Sequence, residues 1–225
     1  EERVSRLHDE PKGVLEVNAP VSFGVLHLAP AVADFMAAHP DLKIELALTD
    51  RFVDPIEEGV DVTVRIARLG DSSLVARRLA PARRVIVAAP DYLARRGRPE
   101  TPEDLARHDC LVYGHTTTLQ RWQLTRDGAA LEVAIGSVLC SNNGDVLRTA
   151  ALAGRGLTLL PTFMVGDDLA AGRLVTVLDD HPPAELGIYA LYAPNRYLAA
   201  KTRVFIDHLV ARFGPRPPWD TFATA

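Results

Sequence analysis

Residues 14–48 read VLEVNAPVSFGVLHLAPAVADFMAAHPDLKIELAL, and this stretch contains the pattern that decides the fold. It opens with a short apolar run that is typical of a buried strand. Apolar residues then recur at helical spacing, up to His39-Pro40, at Val25, Leu28, Val32, Phe35 and Met36. The strict alternation over 43–48 predicts a second strand with one less buried face, near the edge of a sheet. Strand, helix and strand in this order indicate an α/β fold.

The next residues continue the same alternation of elements. Asp54–Gly59 predicts a short helix, because Asp54 can act as N-cap, Pro55 takes the first helical position and Gly59 follows the end. Residues 61–66 predict another buried strand. The pattern is that of a mostly parallel sheet covered by helices.

The middle of the chain repeats this order with a second set of elements. Strands are predicted at 85–89, 110–113, 122–125, 131–135, 157–161, 174–177 and 188–192. Asp127-Gly128 predicts a hairpin turn, and Asn143 predicts the N-cap of a helix that runs to about Ala153. A long amphipathic helix follows over 198–213. Because so many strands exceed one small sheet, the sequence predicts two lobes.

Composition excludes several classes of function. The formal net charge of -4 argues against this segment gripping a phosphate backbone by itself. Two cysteines, Cys110 and Cys140, are too few for a disulfide scaffold and favour a reducing cytoplasm. No uninterrupted apolar run approaches the length of a membrane span, and the N-terminus has no apolar signal core, although a mature secreted chain would lack one too.

Eight short stretches, taken in order, carry a resemblance. They are APVSFG at 19–24, TDRFVD at 49–54, DVTVRI at 61–66, DSSLVARRL at 71–79, NNG at 142–144, GRGL at 154–157, LPTF at 160–163 and AAGRL at 170–174. Their order and spacing resemble the effector-binding domain of LysR-type transcriptional regulators, over about Gly13 to Phe213.

The resemblance implies a type 2 periplasmic-binding-protein-like fold, in which two α/β lobes are joined by two crossover strands and a ligand is bound in the cleft between them. Lobe I is then 13–84 plus 190–213, lobe II is 85–189, and 214–225 form a C-terminal tail. The resemblance also implies that residues 1–12 are the remnant of a linker and that DNA is reached only through an N-terminal helix-turn-helix domain absent from this sequence.

The family also implies self-association, as a homodimer or homotetramer. The helix at 31–38 and the strand at 44–48 are expected to contact the 143–153 helix side of a partner's second lobe. We expect neither a membrane partner nor a cofactor.

Candidate ligand contacts follow the carboxyl ends of the strands, where ligands collect in α/β sheets. They are Ser22, Phe23, Thr49, Asp50, Arg65, Ile66, Asn142, Asn143, Pro161, Thr162 and Phe163. Ser22 and Asn143 are also natural helix N-caps, and two helix N-termini facing one cleft would favour an anion. Arg65 interrupts an apolar strand, which leaves open a ligand contact or an ion pair with Asp50 or Asp54.

Signals for catalysis, metal binding and redox chemistry are weak. The phosphate loop and the Gly-x-Ser-x-Gly elbow are missing from the sequence, and the histidines show no close metal-ligand pairing. Asp167-Asp168 and Asp179-Asp180 are interpreted as solvated surface acids, the first pair in the turn that opens a short helix. The leading hypothesis is a domain that senses a small acidic or aromatic effector; an extracytoplasmic solute-binding protein of a transporter is the alternative.

Overall fold

The computed structural model describes residues 11–68, 70, 73–118, 120–194 and 198–224. The expected linker remnant therefore lies almost wholly outside the described residues. Two compact units are present: unit 1 comprises the chain up to Pro81 together with Leu186–Pro218, and unit 2 comprises Ala82–Glu185 together with the residues from Trp219 onwards. The chain passes from unit 1 to unit 2 at 81/82 and returns at 185/186, a few residues before the expected boundaries at 84/85 and 189/190, and it enters unit 2 again at 218/219.

The elements were numbered in chain order. They are β1 (Gly13–Ala19), α1 (Val21–Ala38), β2 (Leu42–Leu48), β3 (Val62–Ala67), β4 (Val75–Ala82), β5 (Arg84–Ala88), α2 (Pro90–Arg96), a 3-10 helix (Pro102–Arg107), β6 (Cys110–Tyr113), β7 (Arg121–Arg126), β8 (Ala129–Ala134), β9 (Ser137–Ser141), α3 (Gly144–Leu152), β10 (Leu157–Pro161), α4 (Thr162–Ala170), β11 (Val175–Val177), β12 (Leu186–Tyr192), α5 (Ala200–Phe213) and a second 3-10 helix (Pro218–Thr224).

Unit 1 is built on a mixed sheet with the strand order β2-β1-β3-β12-β4. Strand β1 pairs in parallel with both β2 and β3, whereas β12 runs antiparallel to β3. Strand β2 lies at the edge, as its alternating sequence predicts. The sheet departs from the mostly parallel expectation because β12 returns from unit 2 in the opposite direction.

Helix α1 packs against α5 through aromatic rings. The ring of Phe35 lies 5.1 Å from that of Phe205, and the ring of Phe23 lies 5.4 Å from that of Phe213. Met36 and Val25, which the helical spacing assigned to the buried face, are 47% and 58% exposed. The π-helical segment Gly24–Leu28 winds more slowly than an α-helix, which turns Val25 off that face.

By length and composition alone, α1 could also cross a membrane. Three polar residues interrupt it, Ser22, His27 and Asp34, and Asp34 forms an ion pair with Arg212 of α5. Its Leu28 and Phe35 side chains are fully buried. These are the features of the core helix of a folded unit.

The short helix expected at Asp54–Gly59 is not formed. Asp54 does act as a cap, since its Oδ1 accepts a hydrogen bond from the Ile56 amide at 2.8 Å, and its carbonyl accepts from the Glu58 amide at 3.0 Å. Gly59 then adopts a φ of 70°. The left-handed conformation ends the segment after a single hydrogen-bonded turn, so the capping signals were correct and the predicted helix was wrong.

Unit 2 also has a mixed sheet, with the order β11-β5-β10-β6-β9. Strands β10, β6 and β9 are parallel neighbours, so their carboxyl ends lie at one edge. The β7–β8 hairpin is confirmed, with Asp127 and Gly128 at φ values of 52° and 79° as its turn requires. The last residues, expected as a separate tail, join unit 2 from Trp219 onwards; the Trp219 ring lies 6.3 Å from that of Phe163.

Candidate functional site

The candidate residues of unit 1 follow three parallel strands. Ser22 and Phe23 come after β1, Thr49 and Asp50 come after β2, and Arg65 and Ile66 lie at the end of β3. Because β1 is parallel to β2 and to β3, these segments meet at one edge of the sheet.

Ser22 is not the N-cap that the sequence predicts. Helix α1 begins at Val21, Pro20 occupies the cap position, and Ser22 is a buried residue of the first turn. Asp50 reaches this helix start instead, where its Oδ1 accepts a hydrogen bond from the Val21 amide at 3.0 Å. A carboxylate of the chain itself therefore lies at the positive end of α1, which weakens that end as a site for an anion.

Two other candidate residues of unit 1 already contact aromatic rings of the same unit. Phe23 is fully buried against Phe213, so its ring belongs to the core. Arg65 is half-buried, and its guanidinium carbon lies 4.7 Å from the centre of the Phe52 ring. This stacking on an aromatic ring stabilises the charge of an arginine in an otherwise apolar strand.

The candidate residues of unit 2 lie where two helices begin at one edge of the sheet. Asn143 is confirmed as the N-cap of α3, since its Oδ1 accepts from the Asp145 amide at 2.9 Å and from the Val146 amide at 3.3 Å. Asn142 beside it is exposed. A Cβ on Gly144 would lie 2.7 Å from Cε of Met164, so the start of α3 approaches α4 closely.

Helix α4 begins without a side-chain cap. Pro161 occupies its cap position, and the structure gives no side-chain hydrogen bond there. Thr162 is fully buried; its amide and its hydroxyl both donate to the carbonyl oxygen of Arg83, at 2.9 and 3.2 Å. Phe163 is 6% exposed and packs on Trp219. Of these candidates, Pro161 keeps the most accessible side chain.

Asp168 is buried, contrary to its interpretation as a solvated surface acid. It lies within α4, and its side chain is fully inaccessible. One carboxylate binds two guanidinium groups: Arg148 of α3, at 2.6 and 3.0 Å, and Arg173 beyond α4, at 2.9 and 2.7 Å. The spacing of Thr162, Val165 and Asp168 at every third residue places Asp168 on the buried face of α4, a signal that the sequence interpretation missed.

Both cysteines are free thiols, and the surroundings of Cys110 disfavour its thiolate. Cys110 is fully buried on β6, and burial raises the pKa of its thiol to about 12. Cys140 lies on the neighbouring strand, opposite Val112, and both cysteines are free thiols. A buried thiol with a raised pKa behaves as a small apolar side chain. Among the described residues, no three His, Cys, Asp or Glu side chains are grouped to hold a metal ion.

The family of this chain is identified by comparison with known protein families. A family model described as the LysR substrate binding domain matches residues 8–214. The chain belongs to this family. The LysR substrate-binding domain has the type 2 periplasmic-binding-protein-like fold, which confirms the fold expected from the sequence.

Relatives of this LysR substrate-binding domain are transcriptional regulators. CrgA of Neisseria meningitidis serogroup B is 33% identical over 210 residues, which cover 92% of this chain and 70% of CrgA. PtxR of Pseudomonas aeruginosa is 36% identical over 218 residues, which cover 95% of this chain and 69% of PtxR.

Solved structures agree with the sequence relatives. The regulatory domain of CrgA, from Neisseria meningitidis, superposes with a TM-score of 0.79 and 31% identity, covering 91% of this chain and all of that domain. Full-length AphB, a virulence activator of Vibrio cholerae, gives a TM-score of 0.77 and 30% identity, covering 93% of this chain and 73% of AphB. The chain is therefore an effector-binding regulatory domain of a LysR-type transcriptional regulator.

Proposed function

We propose that this domain senses a small molecule that carries a carboxylate or a similar anionic group, and that it does so in the cytoplasm by binding without catalysis. One observation carries the proposal: α3 and α4, each nine residues long, begin side by side at the same edge of the unit 2 sheet. The amides of a first helical turn and the positive end of the helix dipole both favour a negative charge. Two such ends reinforce each other.

The cap residue of α3 is neutral, whereas the side chain that accepts at the start of α1 is a carboxylate; α3 carries its own acid, Asp145, within the first turn. Asn143 is a neutral cap whose Oδ1 is used by α3, which leaves its amide N–H₂ as a donor. Asp50 adds a negative charge beside the start of α1, so Ser22 and Thr49 are better suited to hydroxyl or amide groups of the effector than to its anionic group. Arg65 adds a cation on the same side of unit 1.

In unit 2 the apolar part of the effector would contact Pro161, which is half-buried; Ile66, also half-buried, is the apolar candidate of unit 1. Phe23 and Phe163 are too deeply buried to offer their ring faces, so we assign their contribution to the main chain. Asn142 and Thr162 complete the set of proposed effector contacts. Asn142 has an exposed side-chain amide, and Thr162 is buried in the first turn of α4.

We expect Asn143→Asp to weaken binding of an anionic effector by about tenfold or more, because it places a charge at the proposed anion site and a charge-assisted contact contributes roughly 1.5–3 kcal/mol. The fold should be unaffected, because aspartate is as good an N-cap as asparagine and favours the helix dipole. The measurement is calorimetric titration with benzoate as the first probe, followed by an identified effector.

Two controls separate the site from general charge effects. Gln123→Glu adds the same charge on an exposed position of β7 and should leave binding unchanged. Benzamide, which keeps the ring and loses the charge, should bind both variants and the parent alike. If a screen of small acids, phenols and quinones yields an effector that binds Asn143→Asp as tightly as the parent chain, the anion site is not at α3.

We further propose that the domain self-associates through the surfaces that the family resemblance implies, and that DNA binding belongs to an N-terminal helix-turn-helix domain of the whole regulator. The exposed apolar residues support the first part. Met36 of α1 is 47% exposed in unit 1, and Val146 of α3 is 47% exposed in unit 2. Val32 and Phe35, by contrast, are core residues and are unsuitable for testing an interface.

Sedimentation velocity at tens of micromolar should therefore show a dimer or a larger species for the parent chain. Met36→Glu and Val146→Glu should each shift it towards the monomer, because each would bury an unpaired charge in the interface. Ile56→Glu, an equally exposed position outside both surfaces, is the matched control. A parent chain that sediments as a monomer would contradict the proposal that these surfaces form an interface.

A further inference from the structure

Unit 2 contains a pocket whose lining includes none of the eleven proposed effector contacts. It is a pocket of about 560 Å³ at the end of α2 and along the first 3-10 helix. The residues that line it are Arg95, Arg96, Arg98, Glu100, Asp104, Arg107 and His108.

Three of the four arginines are positioned by main-chain carbonyl groups. Arg95 donates to the carbonyl of Gly154 at 2.9 Å, Arg96 donates to that of Arg107 at 3.0 Å, and Arg98 donates to that of Thr176. A carbonyl group holds a guanidinium in place without neutralising its charge. Each guanidinium has five N–H donors, so donors remain for a ligand after these bonds are made.

The two acids that line the pocket neutralise only part of this charge. The Asp104 carboxylate is the side-chain member of the capping box: it accepts from the amides of Thr101 and Glu100, at 2.9 and 3.1 Å, and from Arg107. These bonds, the Thr101 amide first, hold the pKa of Asp104 well below its usual value. Four arginines against two acids leave the lining with two positive charges, in a chain whose net charge is -4.

Two further features lower this charge without removing it. Arg96 Nε lies 3.8 Å from the Asp109 carboxylate, but both side chains are well exposed, at 47% and 39%, so water screens the pair. Arg95 and Arg96 also lie in the last turn of α2, where the helix dipole contributes about half of a negative charge.

His108 also lines the pocket, and its ring carries no charge. The Tyr92 hydroxyl accepts from the Asp109 amide at 3.0 Å and lies 3.1 Å from Nδ1 of His108. We assign the hydroxyl hydrogen to this second bond, which leaves the ring proton of His108 on Nε2. Burial, and then the charge of Arg96, lowers the pKa of His108, so the ring is neutral at neutral pH.

We propose that this pocket binds a small anion with several charges, such as a pyrophosphate or the phosphoryl groups of a phosphorylated metabolite. Arginine donors in a fixed fork match phosphoryl oxygens, which accept and do not donate. The lining contains no large apolar side chain, so it recognises the charged group rather than an aromatic body. The site is separate from the effector site proposed above.

The test is calorimetric titration of the whole chain with inorganic pyrophosphate at pH 7.5 and constant ionic strength. We expect saturable binding of one pyrophosphate per chain, and affinity at least about tenfold lower for the double variant Arg96→Gln/Arg98→Gln. Arg121→Gln/Arg216→Gln removes the same charge from exposed positions outside the pocket and should retain the parent affinity. Thermal melting of each variant checks that it is folded.

Three outcomes would overturn the proposal. Equal losses in both double variants would show that pyrophosphate responds only to net charge. Undiminished binding by Arg96→Gln/Arg98→Gln would place the anion elsewhere. Duplex DNA that binds with the same dependence on Arg96 and Arg98, while pyrophosphate does not, would make the pocket part of a nucleic-acid surface. Asn143→Asp should leave pyrophosphate binding unchanged, which keeps this test separate from that of the effector site.

Discussion

Replacing Asp168 by asparagine is expected to lower the free energy of unfolding by about 3 kcal/mol, because it removes a fully buried carboxylate that forms ion pairs with two guanidinium groups. The asparagine amide would place N–H donors against Nε of Arg148 if it replaced Oδ2, and against the donors of both Arg148 and Arg173 if it replaced Oδ1. We expect the lower end of the range for broken buried ion pairs, because the two arginine side chains are 32% and 54% exposed and regain water. The ion pair between Arg148 of α3 and Asp168 of α4 would be lost.

The measurement is urea unfolding followed by circular dichroism. Asp167→Asn is the matched control, since Asp167 is the exposed neighbour on the same helix and its substitution should change stability by less than about 0.5 kcal/mol. If the two variants unfolded at the same urea concentration, the arginines would not depend on Asp168, and the ion-pair cluster would contribute nothing to the stability of unit 2.

Gly156→Ala should have a comparable or larger effect on the same unit. A Cβ at this position would lie 2.3 Å from the carbonyl oxygen of Asp109 and 3.1 Å from its carbonyl carbon. That oxygen accepts a hydrogen bond from the Leu157 amide at 2.9 Å, so the backbones at the starts of β6 and β10 would have to move apart. Since rigid backbone cannot yield as a flexible side chain does, we expect a loss of about 3 kcal/mol or failure to fold.

Gly114→Ala provides the control, because its Cβ would meet only the Cys140 sulfur at an ordinary 3.5 Å. Both variants are compared by urea unfolding and by the yield of folded chain. A Gly156→Ala variant as stable as Gly114→Ala would mean that β6 and β10 can separate here without cost.

Local signals in the sequence were sufficient for most of the elements. The Asn143 cap and the Asp127-Gly128 turn depend on contacts between residues a few positions apart, so composition and spacing predict them directly. The edge position of β2 follows from its alternation, since a strand with one wetter face shows it in its own residues. The order of short motifs predicted the family, which the comparison confirmed.

Only the tertiary structure decided which polar side chains face partners distant in the sequence. Asp50 accepts a hydrogen bond from the Val21 amide at the start of α1, 29 positions away in the sequence. The sequence suggested that the starts of α1 and α3 were equivalent anion sites, and this carboxylate makes them different. The arginine pocket lies between segments that bond to Gly154 and Thr176, 59 and 78 positions from Arg95 and Arg98. Periodicity reports which side of an element faces the core; it carries no information about which distant residue packs there, because that depends on how the elements assemble.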